Sequence, residues 1–247
     1  MSSSIDGDPR VGFAYDARMQ EHTHEWPHIE RAARLEHAHD HLERQGLLSR
    51  CMPIPGHSAT DAELLTAHTA EHIAEVRAIT AAVTNDPTNR TLRDPDGPGG
   101  VWYSPQADAA ARLSCGCVID AAMAVCGGGD GPALSSAFAL VRPPGHHAGY
   151  DDTPGHRAEG FCFYNSVAVA ARTVLSRRDL TRAVSRVVIF DWDVHHGNGT
   201  QRLFVDDPAV LYISLHRYDV DRFYPKTGAV DEVGVGDGEG CALIDER

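Results

Sequence analysis

No stretch of the 247 residues approaches the ~18 consecutive apolar side chains that cross a bilayer, so no membrane span is expected. Basic residues are scarce. Lys and Arg number 22 against 35 Asp and Glu, a formal charge of -13. That balance argues against direct nucleic-acid binding and is more compatible with a cationic ligand or peptide. The six cysteines, at 51, 115, 117, 126, 162 and 241, form no paired CxxC of zinc spacing. The opening Met-Ser-Ser-Ser-Ile-Asp-Gly-Asp lacks the basic and apolar parts of a secretory signal. A reduced protein of the cytoplasm and/or nucleus is the expectation. Internal repeats and a convincing domain boundary are also missing. What remains is 42% hydrophobic and 23% charged, enough for a substantial core, which excludes global disorder.

Residues 1–10 are small and polar and are expected to be disordered. VGFAY (11–15) reads as a short buried strand. Residues 30–45 read as a helix that Gly46 ends. Thr60 to Glu63 has the form of a capping box, and helical pattern resumes over 70–83. The Pro-, Gly- and Asp-rich segment 84–100 reads as an irregular loop, and the Ala-rich 107–125 as a helix. Phe138–Val141 reads as a buried strand and Val167–Leu175 as a helix. RVVIFDW (186–192) and VLYISL (210–215) are nearly continuous apolar strands, as in a parallel sheet covered on both faces. Helices alternating with such strands indicate a layered α/β fold.

Strand ends are where α/β proteins place their sites, and two strands here run into polar clusters. After Val141 comes Arg142-Pro-Pro-Gly-His-His-Ala148. Its prolines stiffen the loop, and Gly145 is expected to let the backbone approach a ligand. His146 and His147 then form a rigid imidazole pair suited to general acid/base work. The second cluster, DWDVHHGNGT (191–200), follows RVVIF. Alternation along an extended chain would bring Asp191, Asp193 and His195 to one face. Asp193 and His195 offer a carboxylate oxygen and an imidazole nitrogen suited to Zn²⁺ or Fe²⁺, with Asp191 free to orient a histidine. Other signals are weaker. His37, His39 and His41 read as a solvated helix face, and His22, His24 and His28 lie in the loop that leads into that helix. Cys162 and Tyr164 read as packing residues.

Together the blocks RPPGHHA, GFCFYNSVAVAAR (from Gly160), DWDVHHGNGTQ and VLYISLHRYD, in that order, resemble the zinc-dependent histone deacetylases of class II, within the arginase/deacetylase superfamily. The resemblance runs from about Val11 to about Gly240. Trp192 and Asn198 resemble class II choices, and HIERAARL (28–35) is similar to the family's HxExPxRL block, with Ala32 in place of Pro.

The resemblance implies a three-layer α/β/α fold with a mainly parallel sheet, filling 11–247 and lacking the last part of the domain. It implies Zn²⁺ held by Asp193 and His195, and His147 as general base oriented by Asn198. His146 would pair with Asp191. Gly160 and Phe161 would line a tunnel for acetyl-lysine, faced by Tyr224, where the family usually carries Phe before a Pro. Structural K⁺ would be held by Asp191, Asp193, the His195 carbonyl, Ser214 and the Leu215 carbonyl. Arg34 would meet the acetate product. The implied partner is an acetylated protein, histone or other.

The family's third zinc ligand, an Asp, and its transition-state Tyr lie further along than Arg247. Asp219, Asp221, Asp231 and Asp237 have no spacing that recommends a substitute. The chain is therefore expected to be a weak or inactive deacetylase whose final strands are missing, leaving an apolar sheet edge. The alternatives are a non-catalytic module that binds acetylated proteins, and an acetylpolyamine deacetylase.

Overall fold

A computed structural model describes residues 11–86, 88, 100–128, 132–150, 157–219 and 222–246. The expectation of disorder over 1–10 and most of the 84–100 loop lie outside the described residues. Six strands form: β1 (Val11–Ala14), β2 (Cys51–Ile54), β3 (Ser136–Ala139), β4 (Val187–Asp191), β5 (Val210–His216) and β6 (Ala242–Glu246). All pair in parallel. They make two three-stranded sheets, ordered β2-β1-β3 and β4-β5-β6, rather than one continuous sheet. Among the described residues no strand joins β3 to β4.

The helices are α1 (Ala32–Arg44), α2 (Asp61–Leu64), α3 (Ala70–Asn85), α4 (Ala107–Cys126), α5 (Ser166–Ser176) and α6 (Asn198–Phe204). Their ends follow local chemistry. The Thr60 hydroxyl accepts the Glu63 amide at 3.3 Å, and the Glu63 carboxylate accepts the Thr60 amide at 2.8 Å, closing the capping box that opens α2. Gly46, at φ 67°, stops α1. That helix starts two residues later than the sequence suggests, because Glu30 is drawn inward by Arg142. The strand expected at 138–141 likewise begins and ends two residues earlier.

The central element is α4. It is long and apolar enough to span a bilayer by length and composition, yet 61% of that window is buried inside the protein, so it is a core helix. It packs against β1 and β3 and lies along α5, which packs on β4. The main core gathers around these helices, with Cys115, Ile119, Phe163, Tyr164, Val169 and Tyr212 buried together. A smaller cluster under β1 joins Ala14, Met19 and Leu35 to Leu113 and Cys117. Tyr15, just past β1, packs against this cluster, and α1 places His39 over its ring, centroids 4.3 Å apart.

The N-terminal segment is anchored to the loop after β3 by one buried ion pair. Arg142 donates from Nε to Glu30 at 2.6 Å and from a terminal nitrogen at 2.9 Å, with both side chains almost fully buried. Its other terminal nitrogen donates to the Met19 and His22 carbonyls at 3.0 and 2.7 Å. A bidentate guanidinium–carboxylate pair with its remaining donors satisfied tolerates burial, whereas one lone partner does not. A second pairing links helix to loop near the surface. His57 Nδ1 meets Asp120 at 2.8 Å, and its Nε2 meets Glu63 at 3.1 Å. Partial burial opposes the charged ring, but the two carboxylates outweigh it and raise the His57 pKa.

Two outcomes follow. Arg142→Ala strands the Glu30 carboxylate and lowers stability by about 3–5 kcal/mol in urea unfolding, whereas Arg142→Leu combined with Glu30→Leu recovers much of the loss. Because the folded pKa of His57 lies above its unfolded value of about 6.5, its contribution is complete below that value and fades as pH rises through the folded one. The stability difference between wild type and His57→Gln should therefore be larger near pH 6 than near pH 9, read from denaturation midpoints.

Candidate active site

The site forms where β3 and β4 end. Asp191, the last residue of β4, turns its side chain inward. Its Oδ2 accepts from His146 Nδ1 at 2.9 Å and from the Tyr212 hydroxyl at 3.1 Å, and its Oδ1 accepts the Asp193 amide at 3.1 Å. Burial pushes this carboxyl up, but the hydrogen bonds prevail and hold it below the usual carboxylate value. Gly197 makes the arrangement possible: a β-carbon there would stand 2.4 Å from Asp191 Oδ2 and 2.7 Å from the Tyr212 hydroxyl.

Past the strand the chain turns on Asp193. Its Oδ1 accepts the His195 amide at 2.8 Å and lies 3.2 Å from His195 Nδ1. The sequence expectation needs correction here. Asp191, Asp193 and His195 do not converge through strand alternation, because the strand stops at Asp191. Asp191 faces the interior, and an Asp-centred turn brings Asp193 and His195 together. Two donors each about 2.0–2.1 Å from a tetrahedral zinc stand about 3.3 Å apart, so this pair has the bite of two metal ligands. The ring of His195 stacks on Phe223, centroids 5.0 Å apart and 3° from parallel, which fixes its plane.

His147 sits behind them, 3% exposed, its ring centroid 6.1 Å from that of His195. Its Nδ1 bonds to Asn198 Oδ1 at 2.8 Å. An amide oxygen only accepts, so Nδ1 carries the hydrogen and Nε2 the lone pair. Burial, then the neighbouring His146 and His195, push the His147 pKa down to about 3, so the ring is neutral near pH 7. Asn198, the first residue of α6, is itself buried, and its Nδ2 has no protein partner.

The residues expected to line a tunnel flank this pair. Gly160 and Phe161 both have positive φ, 54° and 68°. The Phe161 ring meets His28 edge-on at 4.9 Å, which brings the HIERAARL segment against it. Tyr224 packs edge-on to His147 at 5.0 Å and to His195 at 5.9 Å. Its hydroxyl bonds to Glu159, and burial, aided by that carboxylate, raises its pKa. Cys162 is fully buried with its thiol pKa raised by burial, as a packing residue should be.

The remaining expected residues lie around this pair. At Gly145 a β-carbon would stand 2.8 Å from the Ser166 amide nitrogen and the Tyr164 carbonyl oxygen, so the absence of a side chain there lets the histidine loop pack closely against the start of α5. Arg34 is largely exposed, its guanidinium 3.9 Å from the Glu30 carboxylate. Ser214 lies opposite Asp191 in the β4–β5 register, its hydroxyl 2.8 Å from His216 Nδ1, and Leu215 follows it on β5. Asp219 pairs with Arg217, and Asp221 is outside the described residues. Among the described residues, one group of three metal-capable side chains clusters: His39, Asp40 and Glu43 on α1. Among the described residues no third such donor joins Asp193 and His195. Sequence reasoning missed Trp102, fully buried and stacked on His22 at 3.9 Å, and the Tyr212 hydroxyl on Asp191. No spacing signal in the sequence marks either.

Comparison with known proteins identifies the family and the fold. The histone deacetylase domain matches residues 28–244. Human histone deacetylase 7 is 38% identical over 255 residues, an alignment covering 93% of this chain and 25% of that protein. A solved structure described as the crystal structure of the HDA15 HD domain superposes with a TM-score of 0.80 at 35% identity, covering 97% of this chain and 62% of the other. The chain thus spans about a quarter of the curated relative and under two thirds of the solved one. The arginase/deacetylase-like α/β fold follows from that superposition.

The donor geometry sets a metal test. In zinc titrations followed by calorimetry, Asp193→Ala and His195→Ala should abolish the tighter event. Asp191→Asn should weaken it by about 10–100-fold through the loss of the second-layer support, and Asp40→Ala on α1 should leave it unchanged.

Proposed function

The chain belongs to the histone deacetylase family, class II type, and on that premise we propose that it acts on N-acetyl-lysine in histones or other proteins, hydrolysing the amide and releasing acetate. The observation that carries this reading is the 3.2 Å approach of Asp193 Oδ1 to His195 Nδ1 beside the neutral, buried His147. When bound by that pair, zinc supplies Lewis acidity and an acidified water.

The chain's own residues supply the rest. His147, presented by Asn198, takes a proton on Nε2 and returns it to the leaving amine. His146, bonded to Asp191, holds the second ring beside it and tunes the local field. Phe161 and Tyr224 flank the lysine stem, with Gly160 between them. The proposed K⁺ would sit among Asp191, Asp193, the His195 carbonyl, Ser214 and the Leu215 carbonyl, where β4 and β5 run side by side. Arg34 is the proposed contact for acetate. The six cysteines are all free thiols, in keeping with a cytoplasmic or nuclear setting.

A catalytic zinc site uses three protein ligands and a water. The described residues offer two at this position, so we propose that these 247 residues alone turn over weakly or not at all. That observation also favours a second reading, a non-catalytic module that binds acetylated proteins. An acetylated polyamine is a further substrate class, since a charge of -13 suits either cation.

An acetyl-lysine peptide assay with added zinc decides among these. The expected rate is at least about 10²-fold below that of a family member with its oxyanion donor in place, and it vanishes in His147→Ala. Turnover indifferent to His147→Ala sinks the mechanism. Peptide binding by calorimetry without acetate release selects the second reading.

A further inference from the structure

The loop after β5 carries two aromatic rings that touch the site histidines, and Glu232 holds that loop from behind. Phe223 lies parallel to the His195 ring, with the Arg217 guanidinium 4.6 Å from its own centroid, and the Arg217 amide donates to the Val194 carbonyl at 2.9 Å. Tyr224 meets both His147 and His195 edge-on. Just beyond, at 227–229, the chain is pinned to α6 and to His196. Glu232 Oε1 accepts the amides of Gly228 and Ala229 at 2.8 and 3.0 Å, and its Oε2 accepts Gln201 Nε2 at 2.6 Å. Gln201, on α6, presents its Oε1 to Nε2 of the buried His196 at 2.8 Å, and His196 Nδ1 lies 2.9 Å from the Thr227 hydroxyl. Gly228 has a φ of 90°, and a β-carbon there would stand 2.4 Å from His216 Nε2 and 2.6 Å from His196 Cγ, so the loop backbone rests directly on these rings.

The hydrogens along this chain of groups have one direction. A carboxylate only accepts, so the Gln201 group facing Glu232 is the –NH₂ and the one facing His196 is the carbonyl oxygen. That oxygen in turn requires a hydrogen on His196 Nε2. In the neutral ring Nδ1 is then the lone pair and receives the Thr227 hydroxyl hydrogen. Donation runs from Thr227 to His196 to Gln201 to Glu232, and bonds chained in this way polarise one another. His196 follows His195 in sequence, so the chain fixes the backbone from which His195 projects. Phe223, on the loop that Glu232 closes, fixes the plane of the same ring. We propose that Glu232 is a positioning residue for His195: through Gln201, His196 and the 223–229 loop it sets the attitude of that imidazole and the place of Tyr224 beside His147. The consequence for metal binding rests on the deacetylase reading; the placement itself does not.

Two variants of the full chain test this by NMR without metal. Glu232→Ala removes the shared acceptor, and the close contact between the His195 and Phe223 rings should be lost. Glu232→Gln is nearly isosteric. Its carbonyl oxygen can keep the Gly228 and Ala229 amides, which turns its –NH₂ toward Gln201. Gln201 must then flip and offer its own –NH₂ to His196, so the ring hydrogen moves from Nε2 to Nδ1 and the Thr227 hydroxyl accepts it. The NMR shifts of the two His196 ring nitrogens should therefore exchange, while the His195–Phe223 contact persists; a role in packing alone predicts no exchange. In zinc titrations of the same chains, Glu232→Ala should weaken binding about 10–100-fold, as loss of an outer partner of a metal ligand does, and Glu232→Gln should retain most of the affinity. Persistence of the ring contact in Glu232→Ala, unchanged His196 nitrogens in Glu232→Gln, or wild-type zinc affinity in Glu232→Ala overturns the proposal. If Glu232→Ala does not fold, the exchange in Glu232→Gln decides. Wild-type chain that takes up no zinc at Asp193 and His195 counts against the deacetylase reading instead, and the NMR results still decide the placement.

Discussion

The carboxylate of Asp191 holds this architecture together at its working end. It terminates β4, yet its partners come from three places: His146 in the loop after β3, Tyr212 on β5, and the amide of Asp193 in the turn that follows. Among the described residues the two sheets share no ladder, so this buried acceptor is a direct polar tie between them, alongside the helical packing of α4 on α5. The turn that positions Asp193 and His195 begins from the same group. A neutral side chain there would loosen the imidazole pair, the sheet junction and the ligand turn together.

A second tie acts at longer range. Arg142 precedes the two prolines of the histidine loop and reaches back to Glu30 and to the carbonyls of Met19 and His22. The N-terminal segment is thereby fixed against the loop that carries His146 and His147. It also delivers His28 to Phe161. Entrance and interior of the site are therefore parts of one hydrogen-bonded unit.

The elements legible in the sequence were those with a strong periodic or compositional signal. β4 and β5 showed as apolar runs, α4 as an Ala-rich stretch, and α2 through its Thr60–Glu63 box. β2 was hidden by Pro53, tolerated because that strand lies at the end of its sheet. β6, ALIDE, carries too many acids to show as a strand without its partner β5. Within the site, the residue types were legible and their mutual placement was not. The side chains of Asp193 and His195 meet because of a turn, and periodicity carries no information about turns of that kind. The inward course of Asp191 depends on Tyr212, which is 21 positions away in sequence. Long-range partners of this sort, like Trp102 under His22, come from packing alone.

The stretch at Gly160 and Phe161 has a consequence for how binding preference can drift. Two successive left-handed residues put main chain, not a side chain, against His147; a β-carbon on Gly160 would stand 2.4 Å from that ring and 2.7 Å from the Tyr224 hydroxyl. The bore of the proposed tunnel would therefore be set on that side by peptide geometry and would resist tuning by ordinary point changes. Variation in what it admits would fall instead to side chains such as Tyr224, whose ring packs edge-on to both His147 and His195.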